Sequence, residues 1–224
     1  MHDDAKPLSN SQRAIAALRD MIITGELSAG SDHLESELAD RLGMSRTPIR
    51  EAALMLESQG LLELRPRKGV RILPVSPNDM AEIYDILTEL ESMSARRAAE
   101  AGLSDNALST LAQSIEDMEA ALASKSLEDW AQADEVFHSE LVELGGNARV
   151  KMIFEMMSNQ VRRARAVTLY MRPLPVQSNE DHRKVLEAIK SGDAEVAGSI
   201  HHAHRQRAKE LLIDLLQKHK LNRI

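Results

Sequence analysis

With 224 residues and 43% hydrophobic content, the chain is long enough for one large or two modest domains, but aromatics at 2% force an aliphatic core. A formal charge of -7 argues against nucleic-acid binding over the whole surface, and the absence of cysteine excludes disulfides and thiolate metal sites. No apolar run approaches the roughly 18 residues of a membrane span, and the acidic, polar opening "MHDDAKPLSNSQ" is unlike a signal peptide, so the chain reads as cytoplasmic.

In chain order, the spacing of Ile15, Leu18, Ile22 and Ile23 predicts a helix over 11–24, with Gly25 as its stop. A turn, "GELSAG", precedes a short helix over 35–42 that carries Leu38, Ala39 and Leu42 on one face and ends at Gly43. Ser45 is placed to cap a third helix running to about Gln59. Pro48 then falls in the first turn, where backbone N–H groups lack intrahelical partners in any case. Ile49, Ala52, Ala53 and Leu56 form the buried face, leaving Arg46, Thr47 and Arg50 at the exposed N-terminal end. After Gly60 the period changes to two. "LLELRPRKGVRIL" alternates around Pro66–Gly69 and predicts a two-stranded hairpin with a basic tip. Three helices and a hairpin, with a tight turn between the second and third helices, make a winged helix-turn-helix over 1–75.

"PVSPND" is a linker that turns into a helix start, with Ser76 capping and Pro77 in first position. From there on only helical patterns occur, at about 77–101, 104–124, 126–144, 147–170, 178–191 and 193–219. Ser104, Asn147 and Asp193 are the caps, and Gly102, Gly145–Gly146 and Gly192 the stops. The expected fold is mainly α: a winged helix-turn-helix followed, over 76–224, by an all-α bundle of six or seven helices.

Residues 1–75 hold ten Lys/Arg and eleven Asp/Glu, so most of the negative charge lies in the bundle. Arg65, Arg67, Lys68 and Arg71 cluster in the hairpin and add to Arg46 and Arg50. A helix tip of this kind suits a major groove: Arg reads guanine O6/N7 bidentately, Ser and Thr reach phosphates or bases, and the helix start favours a phosphate. Lys68, beside Gly69 at the hairpin tip, is placed to approach the adjacent minor groove.

"ELADRLGMSRTPIREAALMLESQGLLELRPRKGVRI" resembles the winged-helix domain of the GntR-type bacterial transcription regulators, a likeness that covers about residues 10–75. The resemblance implies that Arg46, Thr47 and Arg50 touch a double-stranded operator, that Ser45 supports them and that Gly69 belongs to the wing. It also shows departures. Ser36 stands where one branch of the family has a DNA-reading arginine. His33–Leu34 precede Glu35 where an apolar residue and a small polar cap are usual, so the second helix is expected to start less firmly.

The eight histidines are unevenly spread. Asp134 and His138 lie four apart on one face of "WAQADEVFHSELVEL", His182 opens another helix, and His201, His202 and His204 sit on the last one. One carboxylate and several imidazoles make an N/O site suited to Zn, Ni, Mn or Fe with a position open to a ligand. His2, His33 and His219 read as surface or packing residues.

The helical half, about 77–220, resembles the FCD effector domain of the same regulators, with "DEVFH" and "EDHRKVLEAIKSGDAEVA" matching segments that hold a metal in many members. The resemblance implies Asp134, His138, His182 and His204 as ligands, with His201 the competitor for the last place. Leu87 occupies the position of an inward, effector-binding arginine in many members. Either another cation does that work, with Arg162 and Arg165 as candidates, or the effector is not a simple carboxylate. The implied protein is a regulator, most simply a repressor. It would act as a homodimer on an inverted-repeat operator and respond to a small-molecule effector, such as a metabolite acid, bound near the metal. The other readings weighed are a metal-dependent enzyme fused to a DNA-binding head, for which no general base, nucleophile motif or phosphate loop is found, and an architectural DNA binder without effector.

Overall fold

The computed structural model describes residues 8–224, so His2 lies outside the described residues. They form two compact units: one of residues up to Ser76 with Met156–Val167 and Asn222–Ile224, the other of Pro77–Glu155 and Thr168–Leu221.

In the first unit, α1 (Asn10–Ile23) is capped by Ser9, whose hydroxyl accepts from the Gln12 N–H while the Gln12 side chain accepts from the Ser9 N–H. α2 (Glu35–Leu42) and α3 (Arg46–Ser58) follow. Ser45 holds the N-cap position of α3 with extended backbone, but its side chain makes no capping hydrogen bond, a correction to the cap read from sequence. Pro48 is the third helical residue and is buried, with Ile49, Ala52, Ala53 and Leu56 completely so. The weak start expected for α2 is also seen, since Leu34 offers no side-chain cap; instead the Glu37 carboxylate accepts from the Leu34 N–H at 3.0 Å.

The wing is a three-stranded antiparallel sheet rather than a bare hairpin. β2 (Leu62–Arg65) and β3 (Gly69–Ile72) pair through Leu64↔Val70, and β1 (Asp32–His33) joins the other edge of β3 through Asp32↔Arg71 and His33↔Val70. Gly69 makes this possible. Its φ is +81°, and a Cβ there would stand 2.1 Å from the His33 carbonyl oxygen. The glycine therefore serves close backbone approach, not flexibility. Gly69→Ala is expected to destabilise the sheet by roughly 2–4 kcal/mol through left-handed strain and the clash. Hydrogen exchange at Ile72, whose N–H donates to the Ser31 carbonyl at 3.0 Å, reads this directly, and unchanged protection would contradict it. Arg67 (φ +64°) completes a turn with Pro66 in which the Lys68 N–H donates to the Arg65 carbonyl at 3.0 Å.

Chain-distant pieces complete this unit. Val75 and Ile224 exchange both backbone hydrogen bonds, and Arg163 donates to the Leu73 carbonyl at 2.7 Å. The core is aliphatic, with Leu18, Ile22, Leu38, Ile49, Leu56 and Ile72 among its members.

The second unit is helical: α4 (Pro77–Glu100), α5 (Ser109–Ser124), α6 (Leu127–Leu144), the first part of α7 (Ala148–Thr168), α8 (Val176–Ser191) and α9 (Ala194–Lys218). A short 3-10 turn, Leu169–Met171, follows α7. α5 starts five residues later than its spacing suggests, because Ser104 caps only a turn, accepting from the Ala107 N–H at 3.3 Å. Asp193 and Ser126 are true N-caps, of α9 and α6. α4 runs along α9, and α5 along α6. Gly145 lets the end of α6 meet α4, where an added Cβ would be 2.8 Å from Ser94 Cα. The core stacks Leu111, Ile115, Met118, Trp130, Phe137 and Ile189. No helix among the described residues is long and apolar enough to cross a membrane.

Candidate nucleic-acid interface and metal centre

The tip of α3 presents Ser45, Arg46, Thr47 and Arg50, all exposed, in one helical turn and the residue before it. Burial of Ile49, Ala52, Ala53 and Leu56 fixes the helix roll, so Arg46 and Arg50, four apart, share the solvent side. The hairpin cluster divides. Arg65 is engaged by Glu63 at 3.1 Å and Asp32 at 3.3 Å, and Arg71 by Asp32 at 3.7 Å. Arg67 and Lys68 are exposed at the tip. Among the described residues, Arg46, Arg50, Arg67 and Lys68 have no ion pair, which leaves four cations available for an external polyanion.

In the other unit the buried faces of four helices converge on polar groups. On α6 the buried stripe is Trp130, Ala133, Asp134, Phe137, His138 and Leu141, which places the Asp–His pair among apolar residues; Glu135 and Glu140 lie off that stripe. α8 contributes His182, fully buried, with Val185 and Ile189 on the same face. α9 contributes His201, His204 and Arg205 on the face of Ala197 and Leu212.

His138 Nε2 lies 3.5 Å from one Asp134 oxygen and His182 Nε2 3.8 Å from the other. Nitrogens of His138, His182 and His204 all fall within 4.8 Å of one another. The four residues read from sequence as one ligand set are thus adjacent. His201 belongs to a neighbouring group, in which ligand atoms of Glu91, His138 and His201 also lie within 4.8 Å. Arg162 and Arg165 are half-buried on the stretch of α7 that groups with the first unit. Leu87 is buried on α4. His33 bonds Ser31 Oγ at 2.7 Å, and His219 is exposed at the end of α9.

Two carboxylates missed in the sequence organise the imidazoles. Glu91 of α4, wholly buried, accepts at Oε2 from His138 Nδ1–H (2.7 Å) and His201 Nε2–H (3.1 Å). A carboxylate at this site can only accept, so the Glu91 contact places a proton on His138 Nδ1 and turns Nε2 toward Asp134. Asp181 stands 3.5 Å from His204 Nδ1 and accepts from Arg207 at 2.5 Å. Carboxylates behind imidazoles in this way orient metal-ligating histidines. Glu91 was detectable, because it occupies the apolar phase of α4 with Tyr84, Leu87, Thr88 and Ala95.

The protonation states suit a cation. Burial, and then the charge of His204, holds His182 well below the usual imidazole range. Burial likewise lowers His204, and it lowers His201 to about 4 despite the opposing pull of Glu91. Burial pushes Glu91 upward, but Arg205 and His138, with the His138 and His201 hydrogen bonds, more than reverse it. Asp181 is likewise opposed by burial but is carried down to about 2, first by the His204 hydrogen bond and then by Arg207. Neutral imidazoles beside ionised carboxylates are the forms that ligate metal. The clearest sign of fit is His182: neither ring nitrogen has a hydrogen-bond partner in a fully buried position. Such orphaned groups are costly, at about 1–3 kcal/mol each, unless an ion or ligand satisfies them.

A winged helix-turn-helix unit with free arginines at its helix tip, joined to a helical bundle built round a buried polar centre, defines the class of modular DNA-binding regulators. Residues 10–72 match the profile of the bacterial regulatory proteins of the gntR family, and residues 82–207 match the FCD domain. The chain belongs to the GntR family of transcription regulators, in the group that carries an FCD domain. It is 38% identical over 142 residues to an uncharacterized HTH-type transcriptional regulator of Agrobacterium vitis, spanning 62% of this chain and 83% of that one. It is 30% identical over 184 residues to a probable D-xylose utilization operon transcriptional repressor of Paenarthrobacter nicotinovorans, spanning 80% of each. Among solved structures it is similar to E. coli McbR/YncC, with TM-score 0.78 and 23% identity over 93% of this chain and 99% of that one; at this identity the likeness concerns fold.

Proposed function

We propose that the chain is a transcriptional repressor whose DNA affinity is set by a small molecule bound beside a metal. Residues 1–75 form the DNA-reading domain and 76–224 the ligand-binding and dimerisation domain. Arg46, Thr47 and Arg50 read the major groove of each half-site, supported by Ser45, while Lys68 meets the backbone or minor groove next to the wing that Gly69 closes. A homodimer sets two such helices against an inverted repeat. Asp134, His138, His182 and His204 hold a divalent cation, with Zn, Ni, Mn and Fe all compatible with an N/O donor set. A bound cation supplies a Lewis-acidic point for an oxygen of the effector. The residues themselves orient and desolvate that point: Glu91 fixes the His138 tautomer, and Phe137, its ring 4.0 Å from that of His182, walls the site. The repressor assignment is supported by relatives named as repressors of a D-xylose utilization operon and of a gluconate operon.

The observation that carries this reading is the fully buried His182, both nitrogens open, beside Asp134, His138 and His204. The test is selection of DNA from a random pool by the metal-loaded protein, followed by measurement of affinity for the selected sequence with and without small organic acids. An inverted repeat whose binding weakens on addition of an acid is expected. Enrichment of no sequence, or affinity indifferent to every ligand and to metal removal, would leave an architectural binder instead.

A further inference from the structure

Arg205, one residue after His204 on α9, is only 3% exposed. Its guanidinium lies over the Tyr84 ring, 4.5 Å from the centroid, and Nη2 comes within 3.3 Å of Glu91 Oε1. That contact is an ion pair without hydrogen-bond geometry: Nε and Nη2 of Arg205 and Oε1 of Glu91 all lack hydrogen-bond partners. Nε–H and Nη2–H are parallel donors on one edge of the guanidinium, the edge that receives both oxygens of a carboxylate. On the same face of α4, Thr88 Oγ1 and Ser92 Oγ are buried and also without partners. An arginine that served only as counterion to Glu91 would be expected to spend this edge on it.

Charge leads to the same conclusion. Asp134 and Glu91 carry two negative charges, and Arg205 one positive. A divalent ion on the histidines leaves the buried centre with one positive charge in excess, which is costly in a low-dielectric interior unless an anion enters with it. Asp181 does not alter this, since Arg207 already neutralises it.

We propose that Arg205 is the anion receptor of the bundle, taking the carboxylate of a small organic monoacid across its Nε–Nη2 edge, with Thr88 placed for a hydroxyl of the same molecule. The inference rests on the reading of the bundle as a metal-centred ligand site. It explains how a chain with Leu87 on α4 still offers a cation to an acid: the cation comes from α9, across from that helix.

The experiment uses the full-length, metal-loaded protein. Lactate, glycerate and gluconate, each beside its uncharged amide, are tested by thermal shift and calorimetric titration. At least one acid raises Tm while its amide does not. Arg205→Lys keeps the charge opposite Glu91 but loses the paired donors, and weakens that acid at least tenfold with metal content unchanged. The charge-neutral pair Glu91→Gln/Arg205→Met, assayed at a metal concentration that keeps its site loaded, removes acid binding too, and serves if the lysine variant does not fold. Acid affinity unchanged in the variants, or no stabilisation of the metal-loaded wild type by any acid, overturns the proposal. Absence of metal from the wild type would instead fail the underlying reading.

Discussion

Arg46→Ala and Arg50→Ala should each weaken binding to the selected operator by roughly ten- to a hundredfold, since a bidentate arginine–base contact is worth about 1–3 kcal/mol. Neither change should lower stability, because both side chains are exposed and lack ion-pair partners among the described residues. The loss therefore belongs to the complex and not to the fold. Binding to unrelated DNA should persist, carried by phosphate contacts from Arg67 and Lys68. Lys68→Ala should weaken all sequences alike and reduce the salt slope by about one. Fluorescence anisotropy against operator and scrambled duplexes at two salt concentrations separates these outcomes. Undiminished sequence preference in Arg46→Ala/Arg50→Ala would remove α3 from its reading role.

The second large effect is on stability. A divalent ion at about a hundred times its Kd should stabilise the protein by about 2.7 kcal/mol, or very roughly 5–10 °C in Tm for a chain of this size. His182→Ala should abolish that increment, and Glu91→Gln should lower metal affinity by about ten- to a hundredfold by releasing the His138 tautomer. Acid should act in the same direction as metal loss. His182, His201 and His204 have lowered pKa values in the fold, so the unfolded chain takes up protons first, from about pH 6.5 downward. The metal-free protein should therefore lose stability as pH falls from about 6.5 toward about 4, where His201 itself protonates. Glu91 and Asp181, both held low in the fold, extend the loss at still lower pH. Thermal melts of chelated and metal-loaded protein between these limits check the sign.

Much of this was legible in the sequence because it is periodic. The roll of α3 follows from Ile49, Ala52, Ala53 and Leu56, and the roll of α6 from Trp130, Phe137 and Leu141; each fixes where the neighbouring polar residues point. What escaped depends on partners distant in the chain. β1 is two residues long, and nothing local makes Asp32 and His33 a strand; β3 and the missing side chain of Gly69 do. Asp181 reads as an ordinary charge near the start of α8 until His204, on α9, is placed beside it. Arg205 sits in "HHAHRQRAKE", a stretch that looks solvated, and only the packing of α9 on α4 buries it against Tyr84 and Glu91.

Elemental analysis of the purified, metal-reconstituted protein decides whether the bundle is built round a metal, as proposed. The wild type should carry about one divalent ion per chain, in keeping with a four-ligand set, and His182→Ala almost none while its helical circular dichroism is unchanged. Equal metal content in the two proteins, or none in the reconstituted wild type, would contradict it.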